Sequence, residues 1–135
     1  MFTLTLVTPE KKLLSNVEIE EVFVPAAKGE LNILPGHAPL MTTLETGDLR
    51  YRLKGEAKLF HVAISWGYLQ VNPEGVNILA ETAERPEEID PARADATLRA
   101  SEAKMMADAT PEELEKYRKK IARATVRKEV SGLSH

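Results

Sequence analysis

Arg123 and Arg127 stand four residues apart near the C-terminus, and Lys116 and Lys120 continue their spacing. Residues three and four apart are neighbours on a helix, so the four cations form one row. Guanidinium forks match phosphate or carboxylate oxygens in pairs. The row could hold a phosphate, meet an acidic protein surface, or face water. Exposed ion pairs are worth roughly 0–1 kcal/mol each, so a grip on an acidic surface needs several together. His37 is the other side chain that invites chemistry. It has no serine nucleophile context and no metal-ligand spacing with His61 or His135, which leaves a loop-capping role. His61 reads as a partly buried sheet residue and Trp66 as core or interface. The chain has no cysteine, which excludes disulfides, thiolate zinc sites and cysteine nucleophiles. Its glycines form no phosphate-binding loop. No catalytic constellation assembles, so no catalytic residue, metal or required cofactor is expected.

The elements that carry these residues fall into two halves. Up to about residue 82 the pattern has period two. Phe2, Leu4 and Leu6 face one way and Thr3 and Thr5 the other. Val17 and Ile19 alternate with glutamates, and the phase slips at Glu21 before Val22 and Val24, which predicts a bulge. Leu49, Tyr51 and Leu53 alternate with Arg50 and Arg52. Residues 58–64 and 68–71 read as two further strands. Pro73-Glu74-Gly75 is a turn before the alternating Val76, Ile78 and Ala80. Many short strands with turn signals predict an antiparallel β-sandwich or flattened barrel. Between them, Gly29 to Leu40 reads as one stiff loop. Pro35 and Pro39 fix φ there and Gly36 can take φ > 0, with Leu31, Ile33, Leu34 and Leu40 as its anchors.

The pattern changes after Glu81. Residues 83–88 are polar with a proline and read as a linker, the expected first site of proteolysis. Asp90 is an N-cap with Pro91 behind it. Thr110, Pro111 and Glu113 make a capping box. Helices are expected at about 91–107 and 111–130, joined by Asp108-Ala109-Thr110 as an antiparallel hairpin. The expected division is therefore a docking domain over 1–85 and a helical hairpin over 86–135. Ala92, Ala96, Ala100, Ala103 and Ala107 form a small-residue stripe on the first helix. Leu114, Tyr117, Ile121 and Ala124 would meet it from the second. Each alanine buries little, at about 0.8 kcal/mol per CH₂-sized group, so the hairpin should be helical yet weakly held.

Composition sets outer bounds. One hundred and thirty-five residues allow one ordinary domain, or one compact domain with a small appendage. No stretch approaches a membrane span, and Met1 to Leu6 carries no basic region of a secretory signal. From residue 109 onward there are seven Lys/Arg against four Asp/Glu, and residues 1–108 hold eleven against seventeen. A basic tail on an acidic body suggests that the tail meets an acidic partner, or the acidic part of its own chain. The acidic body and the few aromatics argue against nucleic acid.

Four segments together resemble the epsilon subunit of the bacterial F-type ATP synthase, over essentially the whole chain. They are Leu4-Thr5-Leu6-Val7-Thr8-Pro9, Leu34-Pro35-Gly36-His37-Ala38-Pro39-Leu40, Trp66-Gly67-Tyr68-Leu69-Gln70-Val71 and Ala80-Glu81-Thr82-Ala83-Glu84. Asn32 departs from the small residue usual in the family, and Trp66 from the usual glycine. The resemblance implies a non-catalytic rotor subunit of the central stalk, peripheral on the cytoplasmic face of the bacterial plasma membrane. It implies docking of the β-sandwich on the gamma subunit and the c-ring, with Leu34, Pro35, Gly36, His37, Ala38 and Pro39 as interface. It also implies a hairpin that reaches the alpha and beta catalytic subunits when extended and inhibits ATP hydrolysis. Ile89-Asp90-Pro91-Ala92-Arg93-Ala94 resembles the family's "I/L-D-x-x-R-A" motif, linked in some members to regulatory ATP. Ile89, Asp90, Arg93 and Ala94, with Arg123 and Arg127, are the implied nucleotide residues. The rival reading is a free-standing β-sandwich ligand-binding module with no affinity for a coiled-coil partner.

Overall fold

The computed structural model describes residues 1–107 and 109–132. Asp108, in the expected hairpin connection, and His135 lie outside the described residues. Seven strands come first: β1 (Thr3–Val7), β2 (Lys12–Ala26), β3 (Gly29–Ile33), β4 (Leu40–Leu44), β5 (Gly47–Leu53), β6 (Leu59–Asn72) and β7 (Gly75–Glu84). A 3-10 turn at Pro86–Glu88 leads to α1 (Pro91–Met106) and α2 (Pro111–Ser131). Pairings β1–β2, β2–β5, β5–β6, β6–β7 and β7–β1 close a flattened barrel. β3 adds to the far half of β2 and β4 to the far half of β6.

The barrel is not wholly antiparallel. β1 and β7 run parallel, from Thr3 beside Gly75 to Val7 beside Leu79. β1 lies between β2 and β7 and is antiparallel to the first. Closing the ring at that seam leaves only the parallel sense for the second. The two apolar runs around Trp66 are one strand, with Gly67 pairing Leu44 on one side and Ala80 on the other. The run from Gly29 is β3 as far as Ile33, so the stiff loop shrinks to residues 34–39.

Alternating side chains fill the core. Leu4, Leu6, Val22, Val24, Ile33, Leu49, Val62, Ile64, Leu69, Val71, Val76 and Ile78 are buried. The phase slip falls between Ile19 and Glu21, where β2 gains a residue against β5. Gly67 has no room for a side chain, since a Cβ there would lie 2.0 Å from the Leu79 carbonyl oxygen.

The hairpin lies against the barrel. α2 packs over β5 and β6, and α1 packs on α2. Asp90 caps α1 by accepting from the Ala92 and Arg93 N–H groups at 3.0 and 3.2 Å. Thr110 and Glu113 form the reciprocal box on α2. The alanine stripe is a correction: Ala92, Ala96, Ala100, Ala103 and Ala107 are all exposed. The inward face of α1 is Ala94 and Ser101, with Leu98 half-buried between them. Alanines are so frequent on α1 that spacing alone selects no face.

Residues 83–88 are no loose linker. Ala83 and Glu84 complete β7, and Ala83 is buried in the core. Arg85 donates from Nη2 to the Leu13 carbonyl at 3.0 Å. Glu88 accepts from the Arg85 N–H at 3.0 Å and from Lys11 Nζ at 2.9 Å. The polar residues that suggested a linker are satisfied by these contacts.

Candidate functional site

Residues 34–39 project between β3 and β4. Gly36 holds φ at +88°, a conformation open to glycine and costly for other residues. His37 donates its N–H to the Leu34 carbonyl at 3.1 Å and from Nδ1 to the Ala38 carbonyl at 2.7 Å. The imidazole therefore caps the loop. Leu34 is 47% exposed, which corrects its reading as an anchor. Ile33 is buried, and Leu31 and Leu40 pack partly against the core. The loop thus presents an apolar residue, two prolines and a histidine on a fixed frame.

A second surface lies on the outer face of β4, β6, β7 and β1. Cross-strand register sets Thr43 beside Tyr68, Tyr68 beside Leu79, and Leu79 beside Val7. Met41, one outward position along β4, faces Gln70. Tyr68, Leu79 and Met41 are exposed, and with Val7 they border a shallow groove. Contiguous apolar side chains on a soluble surface mark a contact site. Sequence reading missed this row. The signal was present: 68–71 and 76–80 carry apolar residues at outward as well as inward positions.

Of the residues expected to bind nucleotide, all but the exposed Arg93 are buried or engaged at the seam or in the cap of α1. Ile89 is buried with Ala63, Val130 and the half-buried Val126. Asp90 is spent on its cap, Ala94 is buried on α1, and Arg93 is exposed. Arg127 reaches Glu84 on β7, with Nε 2.8 Å from Oε1 and Nη2 3.0 Å from Oε2. The Arg123 guanidinium lies 5.6 Å from the Trp66 ring centre. Lys116 and Lys120 are exposed. The cationic row is therefore split, its last two members turned to the barrel. Lys128 donates to Asp95 at 2.7 Å, so the end of α2 lies beside the start of α1. His61 Nδ1 meets Asp48 at 2.9 Å. Burial raises the Asp48 pKa, and the His61 contact opposes that rise. Among the described residues, no group of three or more His, Asp or Glu could hold a metal.

A family model described as "ATP synthase, Delta/Epsilon chain, beta-sandwich domain" matches residues 1–86. The "ATP synthase epsilon chain" of Bdellovibrio bacteriovorus is 61% identical over 103 residues, covering 76% of this chain and 74% of its own. The chain belongs to the ATP synthase delta/epsilon family. The "ATP synthase epsilon chain" of Geobacter metallireducens is 44% identical over 131 residues, 96% of this chain and 92% of that one. Epsilon-type relatives thus match the helical part as well as the barrel. A chain in the cryo-EM structure of the Euglena gracilis mitochondrial ATP synthase, OSCP/F1/c-ring in rotational state 1, superposes with a TM-score of 0.84. It shares 22% identity over 98% of this chain and 81% of that one. A chain in the Tetrahymena thermophila mitochondrial ATP synthase central stalk/c-ring structure gives 0.65 at 14% identity. These two likenesses speak for the fold alone.

Proposed function

We propose that this chain is the epsilon-type rotor subunit of the central stalk of a proton-translocating F-type ATP synthase, without catalysis of its own. Residues 1–85 serve as the docking domain and 86–135 as a regulatory hairpin. The observation that carries the reading is the exposed row of Met41, Tyr68 and Leu79 on a rigid barrel face. That row fits a flat apolar partner such as the gamma subunit, and the capped loop at 34–39 fits the polar loops of the c-ring. The subunit sits peripherally at the cytoplasmic face of the bacterial plasma membrane. In keeping with that, no helix among the described residues is long and apolar enough to cross a bilayer. The hairpin inhibits ATP hydrolysis when it leaves the barrel and reaches the alpha and beta subunits.

Co-purification with gamma tests the docking surface. Tyr68→Glu with Leu79→Glu should cut gamma capture at least tenfold with the barrel still folded by circular dichroism. Capture at the unsubstituted level would reject the surface, and absence of capture by the native chain would favour the free-standing module.

Regulatory ATP belongs to the same proposal. The Lys128–Asp95 contact brings Arg127 to the end of the hairpin that carries Asp90 and Arg93, the combination a triphosphate and its nucleoside would need. Calorimetric titration with ATP should give a saturable signal that Arg93→Ala weakens. A flat titration of the native chain would remove ATP from the account.

A further inference from the structure

We infer that Trp66 is a latch: its ring, clasped by Lys119 and Arg123, is a principal hold of the barrel on the docked hairpin. The inference rests on the mobile hairpin proposed above and adds the element that sets its equilibrium. Trp66 sits in β6 where pairing passes from β5 to β4. Its φ is +21°, in a region that bulky residues rarely adopt. An unusual backbone conformation persists only where the surroundings over-determine it. Here strand pairing fixes both neighbours, Ser65 to Thr82 and Gly67 to Ala80, and the ring is presented to Lys119 and Arg123 of α2.

The clasp has two jaws. Lys119 Nζ lies 5.4 Å and the Arg123 guanidinium 5.6 Å from the ring centre. The two are four residues apart, and so share one face of α2 with Arg127, four further on. The Arg123 Nε is buried and has no hydrogen-bond partner, so the ring face is its main compensation. The rest of the seam is thin. Val126 and Val130 meet Ala63 and Ile89, and Arg127 meets Glu84. Cation–π contacts strengthen as they are desolvated. Arg123 is half-buried and Lys119 exposed, so the Arg123 jaw is the stronger and compares with one of the buried valines of the seam. Removing the ring should therefore shift the docking equilibrium measurably rather than trivially.

The latch also has a consequence for the cationic row. While the hairpin is docked, Lys119, Arg123 and Arg127 are engaged with Trp66 and Glu84. An acidic partner surface must then compete with the barrel for the same side chains. Release and grip are thus exclusive by construction.

The test uses the full chain with a dye pair at Glu74→Cys and Met106→Cys, both exposed positions in a chain with no native cysteine. Single-molecule energy transfer gives the open fraction. Trp66→Leu keeps an apolar side chain and loses the aromatic face, and should raise the open-to-docked ratio roughly tenfold. Trp66→Phe should raise it much less. Arg123→Gln, made from the helix side, should raise it without touching the strained backbone. Far-UV circular dichroism and the barrel's thermal transition report folding. An open fraction equal in the native chain, Trp66→Leu and Arg123→Gln would overturn the latch and leave the mobile hairpin standing. A single docked state in every variant would overturn both.

Discussion

Glu21 ties three strands with one carboxylate. Arg52 on β5 donates to its Oε2 from Nε at 3.0 Å and Nη2 at 2.7 Å, and Asn32 on β3 donates to its Oε1 at 3.1 Å. The Arg52 hydrogen bond, then that of Asn32, holds its pKa below the ordinary 4.5 against the opposing effect of burial. A folded pKa below the unfolded one contributes stability that is present above 4.5 and lost as pH falls through the depressed value. Glu21→Gln should therefore be less stable than the native chain at pH 7, with the gap closing as pH drops below 4.5. Urea denaturation at several pH values checks this, and a gap independent of pH would show that the carboxylate's charge is not what matters. The residue also shows what a one-dimensional pattern can reveal. Glu21 interrupts the alternation of β2, so the bulge was readable. Its partners on two other strands were not, because pairing between distant strands leaves no local periodic trace. The same limit hid Asp48 behind His61.

At the scale of elements, legibility followed the strength of local signals. Both helices start at an N-cap followed by proline, and those two residue types declare a helix without tertiary help. Alternation marked β1, β5 and β7 because one face is core and the other carries mostly polar residues, such as Thr3 and Thr5, Arg50 and Arg52, and Asn77 and Glu81. It failed in β6 and along the outer row, where both faces are apolar and period two is erased. It also failed on α1, whose alanines present nearly the same composition on every side. Leu34 misled in another way. An apolar residue in a proline-rich loop looks like an anchor, yet here Ile33 fills the core and Leu34 is left for a partner. The cationic row on α2 was visible by spacing, but its inward turn depends on Trp66 and Glu84, each far away in sequence.

The whole molecule joins a barrel closed by continuous strand pairing to a hairpin held at a narrow seam. The barrel buries some twenty side chains in one cluster, whereas the second cluster, at the seam, has three fully buried members. In the proposed function, that disparity selects the hairpin as the part that moves while the barrel stays bound. The connecting residues are tied to β2 by Arg85 on the Leu13 carbonyl and to the β1–β2 loop by Glu88 on Lys11, so there is no slack tether before the start of α1. The decisive measurement is ATP hydrolysis by the assembled enzyme carrying Ala63→Cys with Val130→Cys, two residues of the seam cluster. Oxidation would lock the hairpin down, and reduction would free it. The account predicts faster hydrolysis when locked, returning to the slower, inhibited rate on reduction. Equal rates in both states, with the cross-link shown to be formed, would mean that the hairpin does not act as a brake by leaving the barrel.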